Sequence, residues 1–73
     1  MNPYSVLLLY PDYMNDGGIE TYYEHVDAIS PEGAVLTAQS LAHLANDGMG
    51  EPEDFAALLC IAGHHKPLTL KDS

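Results

Sequence analysis

Residues 19–46 show a strand pattern followed directly by a helix pattern, and this segment constrains the fold more than any other. Ser30 can cap a helix, Pro31 suits its first turn, and Glu32 complements the positive end of the helix dipole. An apolar stripe then recurs at helical spacing along one side. Its members are Ala34, Ala38, Leu41 and Ala45, and Val35 and Ala42 widen it. Because the stripe is mostly alanine, the helix can approach a sheet closely, although each residue buries little area.

Two other apolar segments supply further strands. Residues 4–10 are short, rich in leucine and followed by Pro11, which predicts a strand. Because both of its sides are apolar, we expect this strand to be the central one. Residues 55–62 form an unbroken apolar run that ends at Gly63, and we interpret them as a third strand. A second helix beginning near Pro52 is the alternative, since alanine and leucine also favour helices.

The order strand, strand, helix, strand predicts an α+β fold of two layers. We expect a three-stranded sheet with the first strand in the centre and one helix packed on one face. The strand at residues 19–29 has charged residues on both sides, which suits an edge. The whole chain, residues 1–73, is expected to form a single small domain with a polar tail from about residue 66. Cys60 is the only cysteine, so no internal disulfide can support the small core.

Charge excludes some classes of partner. Eleven acidic residues face two bases, and both bases, Lys66 and Lys71, lie in the tail. Phosphate recognition relies on lysine and arginine, so we expect neither direct nucleic-acid binding nor binding to an anionic membrane. The sequence contains no apolar run long enough for a transmembrane helix and no signal-peptide pattern, so a cytoplasmic protein is expected.

The predicted topology gathers many of the acids at one end of the sheet, where the loops at residues 11–18 and 47–54 would meet. These residues, which we call the acidic end, are Asp12, Asp16, Glu20, Asp47, Glu51, Glu53 and Asp54. Two solvated acidic loops are the simplest interpretation. A docking patch for a basic protein partner is the functional one, and a weak cation site is a third.

One helix can cover only one face of such a sheet. The first and third strands are apolar on both faces, so an apolar face should stay open. We assign to it Leu7, Leu9, Tyr10 and Tyr23. Soluble monomers rarely expose such a patch, and packing against another sheet would bury it. We therefore expect a homodimer or a complex with another protein.

Candidate catalytic and metal-binding groups are few. Residues 12–20 resemble the start of a calcium-binding EF-hand loop, but Met14 and Tyr23 occupy the third and twelfth positions, where calcium needs carboxylates. A hairpin loop is predicted there instead. His64 and His65 could bind metal together with His25, although neighbouring strand residues point to opposite faces. We expect no catalytic residue and no cofactor.

The leading functional hypothesis is therefore a non-enzymatic, small acidic interaction module that acts as a homodimer or with a protein partner. Two alternatives stay open. One is an acidic inhibitor that mimics nucleic acid and occupies a basic groove on another protein. The other is a small metal-binding protein that uses the three histidines His25, His64 and His65.

Overall fold

The computed structural model describes residues 1–14 and 20–65. Its strands are β1 (Asn2–Leu9), β2 (Thr21–Ala28) and β3 (Ala56–Ala62), and its helix is α1 (Pro31–Ala45). The strands form an antiparallel sheet in the order β2-β1-β3, and α1 packs on one face of it. The predicted two-layer α+β fold, with the first strand in the centre, is confirmed. Residues 56–62 are a strand, so the alternative of a second helix there is wrong.

The helix begins as its sequence predicts. The Ser30 side chain accepts a hydrogen bond from the Gly33 amide at 3.1 Å, and Pro31 occupies the first helical position. The buried residues of α1 are Ala34, Ala38 and Ala42, all members of the predicted stripe, whereas Leu41 and Ala45 are exposed. These small side chains let the helix lie close to β1 and β2.

The core lies between α1 and the sheet. Val6 and Leu8 of β1 are fully buried there, together with residues of β2 and the helix alanines. The largest fully buried side chain is Phe55, immediately before β3. A 3₁₀ turn (Pro52–Asp54) directs the chain into this position, and the Gln39 side-chain amide donates to the Phe55 carbonyl at 2.8 Å.

Strand β3 is irregular at Leu58 and stops at Gly63. Its register passes from Leu7 opposite Leu59 to Leu8 opposite Ala57, which leaves Leu58 as the extra residue of a β-bulge. Gly63 has a φ of +95°, a conformation that favours glycine. There the chain leaves the edge and crosses the sheet, opposite the helix.

The residues after Gly63 cover one end of that opposite face. The Ser5 hydroxyl donates to the Gly63 carbonyl at 2.7 Å and accepts from the His65 amide at 2.9 Å. Ser5 is consequently fully buried although no helix covers it. Within residues 1–14 and 20–65, no helix is long and apolar enough to cross a membrane.

Candidate functional site

The face of the sheet opposite α1, here called the open face, carries an apolar row across all three strands. Leu7 of β1 pairs with Tyr23 of β2 on one side and with Leu59 of β3 on the other. Leu7, Leu9 and Tyr23 are half-buried, whereas Leu59 keeps 47% of its surface exposed and Ile61 keeps 37%. Three of the four residues assigned from the sequence therefore share this face.

Tyr10 lies on the other side of the sheet, which corrects its assignment. Its ring packs edge-on against Phe55, with centroids 5.4 Å apart, and it also borders Tyr22. The Asn46 amide approaches its hydroxyl at 3.4 Å. Side chains alternate along a strand, so Tyr10 follows Val6 and Leu8 toward the helix rather than Leu7 and Leu9 away from it.

The most exposed apolar element is β3. Apart from the half-buried Cys60, every residue of this strand is exposed, and Leu58 retains 52% of its surface. The helix packs most closely against β2 and least against β3, which it touches near Cys60. The sequence analysis did not select Leu58, Leu59 or Ile61 as site residues. The sequence signal that indicates these three residues is the uncharged apolar run at residues 55–62.

The two outer strands differ in charge. β2 carries Glu24 and Asp27, whereas β3 reads AALLCIA and has no charged residue at all. Charges on an edge strand discourage pairing with another chain. Of the two outer strands in the described part of the chain, β2 therefore has this protection and β3 does not.

The acidic end is organised around one internal contact. The Tyr13 hydroxyl donates to the Asp54 carboxylate, which also accepts from the Glu51 amide at 3.1 Å. The bond from Tyr13 and the backbone bond from Glu51 lower the pKa of Asp54, and the same bond to Asp54 raises the pKa of Tyr13. The loops at residues 11–14 and 50–54 therefore meet.

Most other carboxylates of the acidic end lie at the surface, and that of Glu51 accepts from the Asp54 backbone amide in a capping box. The exposed ones are Asp12, Glu20, Asp47, Glu51 and Glu53. Asp54 is half-buried and engaged internally, and Asp16 lies outside the described residues.

The histidines come together, but their ring nitrogens point to different carbonyl groups. The rings of His25 and His64 stack with centroids 4.9 Å apart. His25 Nε2 lies 2.8 Å from the His65 carbonyl, and His64 Nε2 lies 3.1 Å from that of Val26. His65 Nε2 lies 2.7 Å from the Ala62 carbonyl. Over residues 1–14 and 20–65, no three His, Cys, Asp or Glu side chains are placed to hold a metal ion.

Cys60 is not activated as a nucleophile. Its Sγ atom lies 3.9 Å from the Pro31 carbonyl. Burial, and to a smaller extent the charge of Glu32, raises the pKa of the thiol. Because the thiolate is the reactive form, this setting lowers the reactivity of the side chain at neutral pH.

The geometry thus offers an uncharged apolar strand at one edge, an apolar open face beside it, and an acidic end. Comparisons with known protein families, with curated proteins and with solved structures find no match for this chain.

Proposed function

We propose that this chain is a non-enzymatic interaction module that associates with a second copy of itself through β3 and the adjoining open face. The exposure of Leu58, Leu59 and Ile61 on one uncharged strand supports this most strongly. Burying apolar surface is favourable by about 25 cal/mol per Å². Two copies that cover each other's β3 therefore gain free energy that neither gains alone.

The lack of charge on β3 favours an apolar partner surface, such as that of a second copy, over a basic one. β3 offers no carboxylate with which a basic partner could pair. The net charge of −9 makes two copies repel at long range, so they can meet closely only where the surface is uncharged. A different protein with its own apolar patch is the other partner within this proposal. A cytoplasmic location is part of it, and the free thiol of Cys60 suits a reducing compartment.

The exposed carboxylates of the acidic end support a second candidate, an acidic inhibitor of a basic groove. The two candidates respond to salt in opposite directions. Screening weakens the repulsion between two acidic copies, so self-association should strengthen as salt rises. Binding of the acidic end to a basic partner should weaken instead.

Light scattering coupled to size exclusion tests self-association directly. The chain has a mass of 7.9 kDa, and we expect the measured mass to approach twice that value as concentration increases. Leu59→Gln places a polar amide on the contact surface and should return the mass to that of a single chain.

Leu44→Gln is the matched control. Leu44 lies on α1 and keeps 72% of its surface exposed, so the same substitution there removes exposed apolar area away from β3. It should leave the dimer intact. A wild-type chain that stays at 7.9 kDa at every concentration and salt level would overturn the proposal.

A further inference from the structure

Resting on the proposed self-association, we infer that the second copy pairs along the outer edge of β3. The two three-stranded sheets then form one continuous sheet, in which β3 of each copy pairs antiparallel with β3 of the other. This arrangement places a two-fold axis beside Ile61. It is the isologous geometry in which one surface is complementary to itself.

The backbone of β3 has an outward-facing set of hydrogen-bonding groups. The Gly63 amide donates to the Pro3 carbonyl at 2.8 Å, which fixes Gly63 as a residue bonded to β1. Antiparallel pairs alternate between bonded and non-bonded positions. Leu59 and Ile61 therefore also bond to β1, whereas the N–H and C=O groups of Cys60 and Ala62 point away from it.

The edge of β3 is the one that a second copy can approach. An unprotected edge strand is a template for another strand. Pairing two copies through β2 would bring Glu24 and Asp27 of one copy close to the same carboxylates of the other, and such like-charge pairs are unfavourable. Pairing through β3 opposes only alanine, leucine, cysteine and isoleucine side chains. The strand offers no side chain with which a charged partner could form an ion pair, so a second copy with the same uncharged edge fits it better.

The bulge and the turn determine the register. Between the bulge at Leu58 and the turn at Gly63, residues 59–62 are regularly paired. With the axis at Ile61, Cys60 of each copy lies opposite Ala62 of the other, and each such pair exchanges both backbone hydrogen bonds. The Ala62 carbonyl lies 2.7 Å from His65 Nε2 in the same chain, so it accepts from the second copy through its other lone pair. An axis at Cys60 would instead place Ala62 opposite the bulged Leu58. The first register uses only regular backbone.

This register also buries side chains on the open face. Ile61 of each copy lies next to Ile61 of the other at a non-bonded position, where facing Cα atoms approach to about 4.5 Å. Ile61, which is 37% exposed in one chain, would be covered by its own counterpart. The apolar row of Leu7 and Leu59 then continues into the second copy.

A proline scan of outward-facing amides tests the edge. Ala62→Pro removes an outward N–H without breaking a bond to β1, and proline is tolerated at such positions. We expect a folded chain with unchanged circular dichroism and a mass of 7.9 kDa instead of twice that value. Thr21→Pro is the control, because the Tyr10 amide bonds to the Glu20 carbonyl and the next residue, Thr21, faces outward on β2. It should remain a dimer.

A cross-linking variant keeps the test decisive if Ala62→Pro does not fold. Ala62→Cys, with Cys60 retained, places two thiols opposite each other with Cα atoms about 5.5 Å apart, within disulfide range. Mild oxidation should convert this variant to a covalent dimer. The wild-type chain should not cross-link, since the two Cys60 residues would be offset along the strands beyond about 7 Å.

The outcomes separate this inference from the proposed function. A dimer that survives Ala62→Pro but is lost in Leu59→Gln would refute edge pairing and leave association through the open face. Failure of Ala62→Cys to cross-link in a chain that is dimeric by mass would refute the edge as well. A wild-type chain that is monomeric throughout would overturn both.

Discussion

Replacing Phe55 should test how the small core is held together. The helix contributes mainly alanines to the core, and each of these buries little area. Phe55 is fully buried, is the largest such side chain, and packs edge-on against Tyr10. We therefore expect the stability of the fold to depend on this residue more than on any single residue of α1.

The magnitude follows from the size of the side chain. Truncating a buried phenylalanine to alanine costs about 3–5 kcal/mol, because transfer free energy is lost and a cavity remains. A chain of 73 residues has a total unfolding free energy of roughly 4–11 kcal/mol. Phe55→Ala should thus remove a large part of the stability. Phe55→Leu, which keeps most of the volume, should give a smaller loss.

Urea denaturation followed by circular dichroism measures these differences, with protein concentration held fixed because dimerisation adds to apparent stability. Leu44→Ala is the control, since this exposed residue should change stability by no more than about 0.5 kcal/mol. If Phe55→Ala lost no more than Leu44→Ala does, Phe55 would not be the central packing residue and the proposed core would be incorrect.

Three further predictions concern local interactions. Ser30→Ala removes the helix cap and should cost about 1 kcal/mol in urea denaturation, whereas Ser40→Ala, on the exposed side of α1, should cost little. The pKa of Asp54 is lowered in the folded state, so its bond to Tyr13 contributes full stability above the unfolded-state pKa near 3.8. That stability is lost as pH falls through the lower folded-state pKa. Tyr13→Phe should therefore flatten this part of an acid-unfolding profile, and an unchanged profile would contradict the prediction. Gly63→Ala should destabilise by about 1 kcal/mol or more, because alanine is strained at a φ of +95°, and equal melting temperatures would argue against that turn.

Local patterns were enough to predict the elements and their order. The cap at Ser30, the proline after it and the alanine stripe defined α1. Apolar character on both sides identified β1 as the central strand. These signals come from residues close together in the sequence, so the helix and the central strand can be predicted without knowledge of the tertiary structure.

The candidate surface depended on features that no local pattern encodes. The helix packs most closely against β2 and contacts β3 least, so every residue of β3 except Cys60 stays exposed. The segment at residues 63–65 returns to Ser5 and covers one end of the open face. Both are consequences of long-range packing. The misplacement of Tyr10 is different, because strict alternation from Leu9 would have assigned it to the helix side.

Amide hydrogen exchange in β3, measured by NMR over a range of protein concentrations, tests the proposed contact most directly. The outward amides of Cys60 and Ala62 should exchange rapidly in dilute samples and become protected as concentration rises. The amides of Leu59 and Ile61, bonded to β1, should be protected throughout. Rapid exchange at Cys60 and Ala62 at every concentration would contradict the pairing of two copies along this strand.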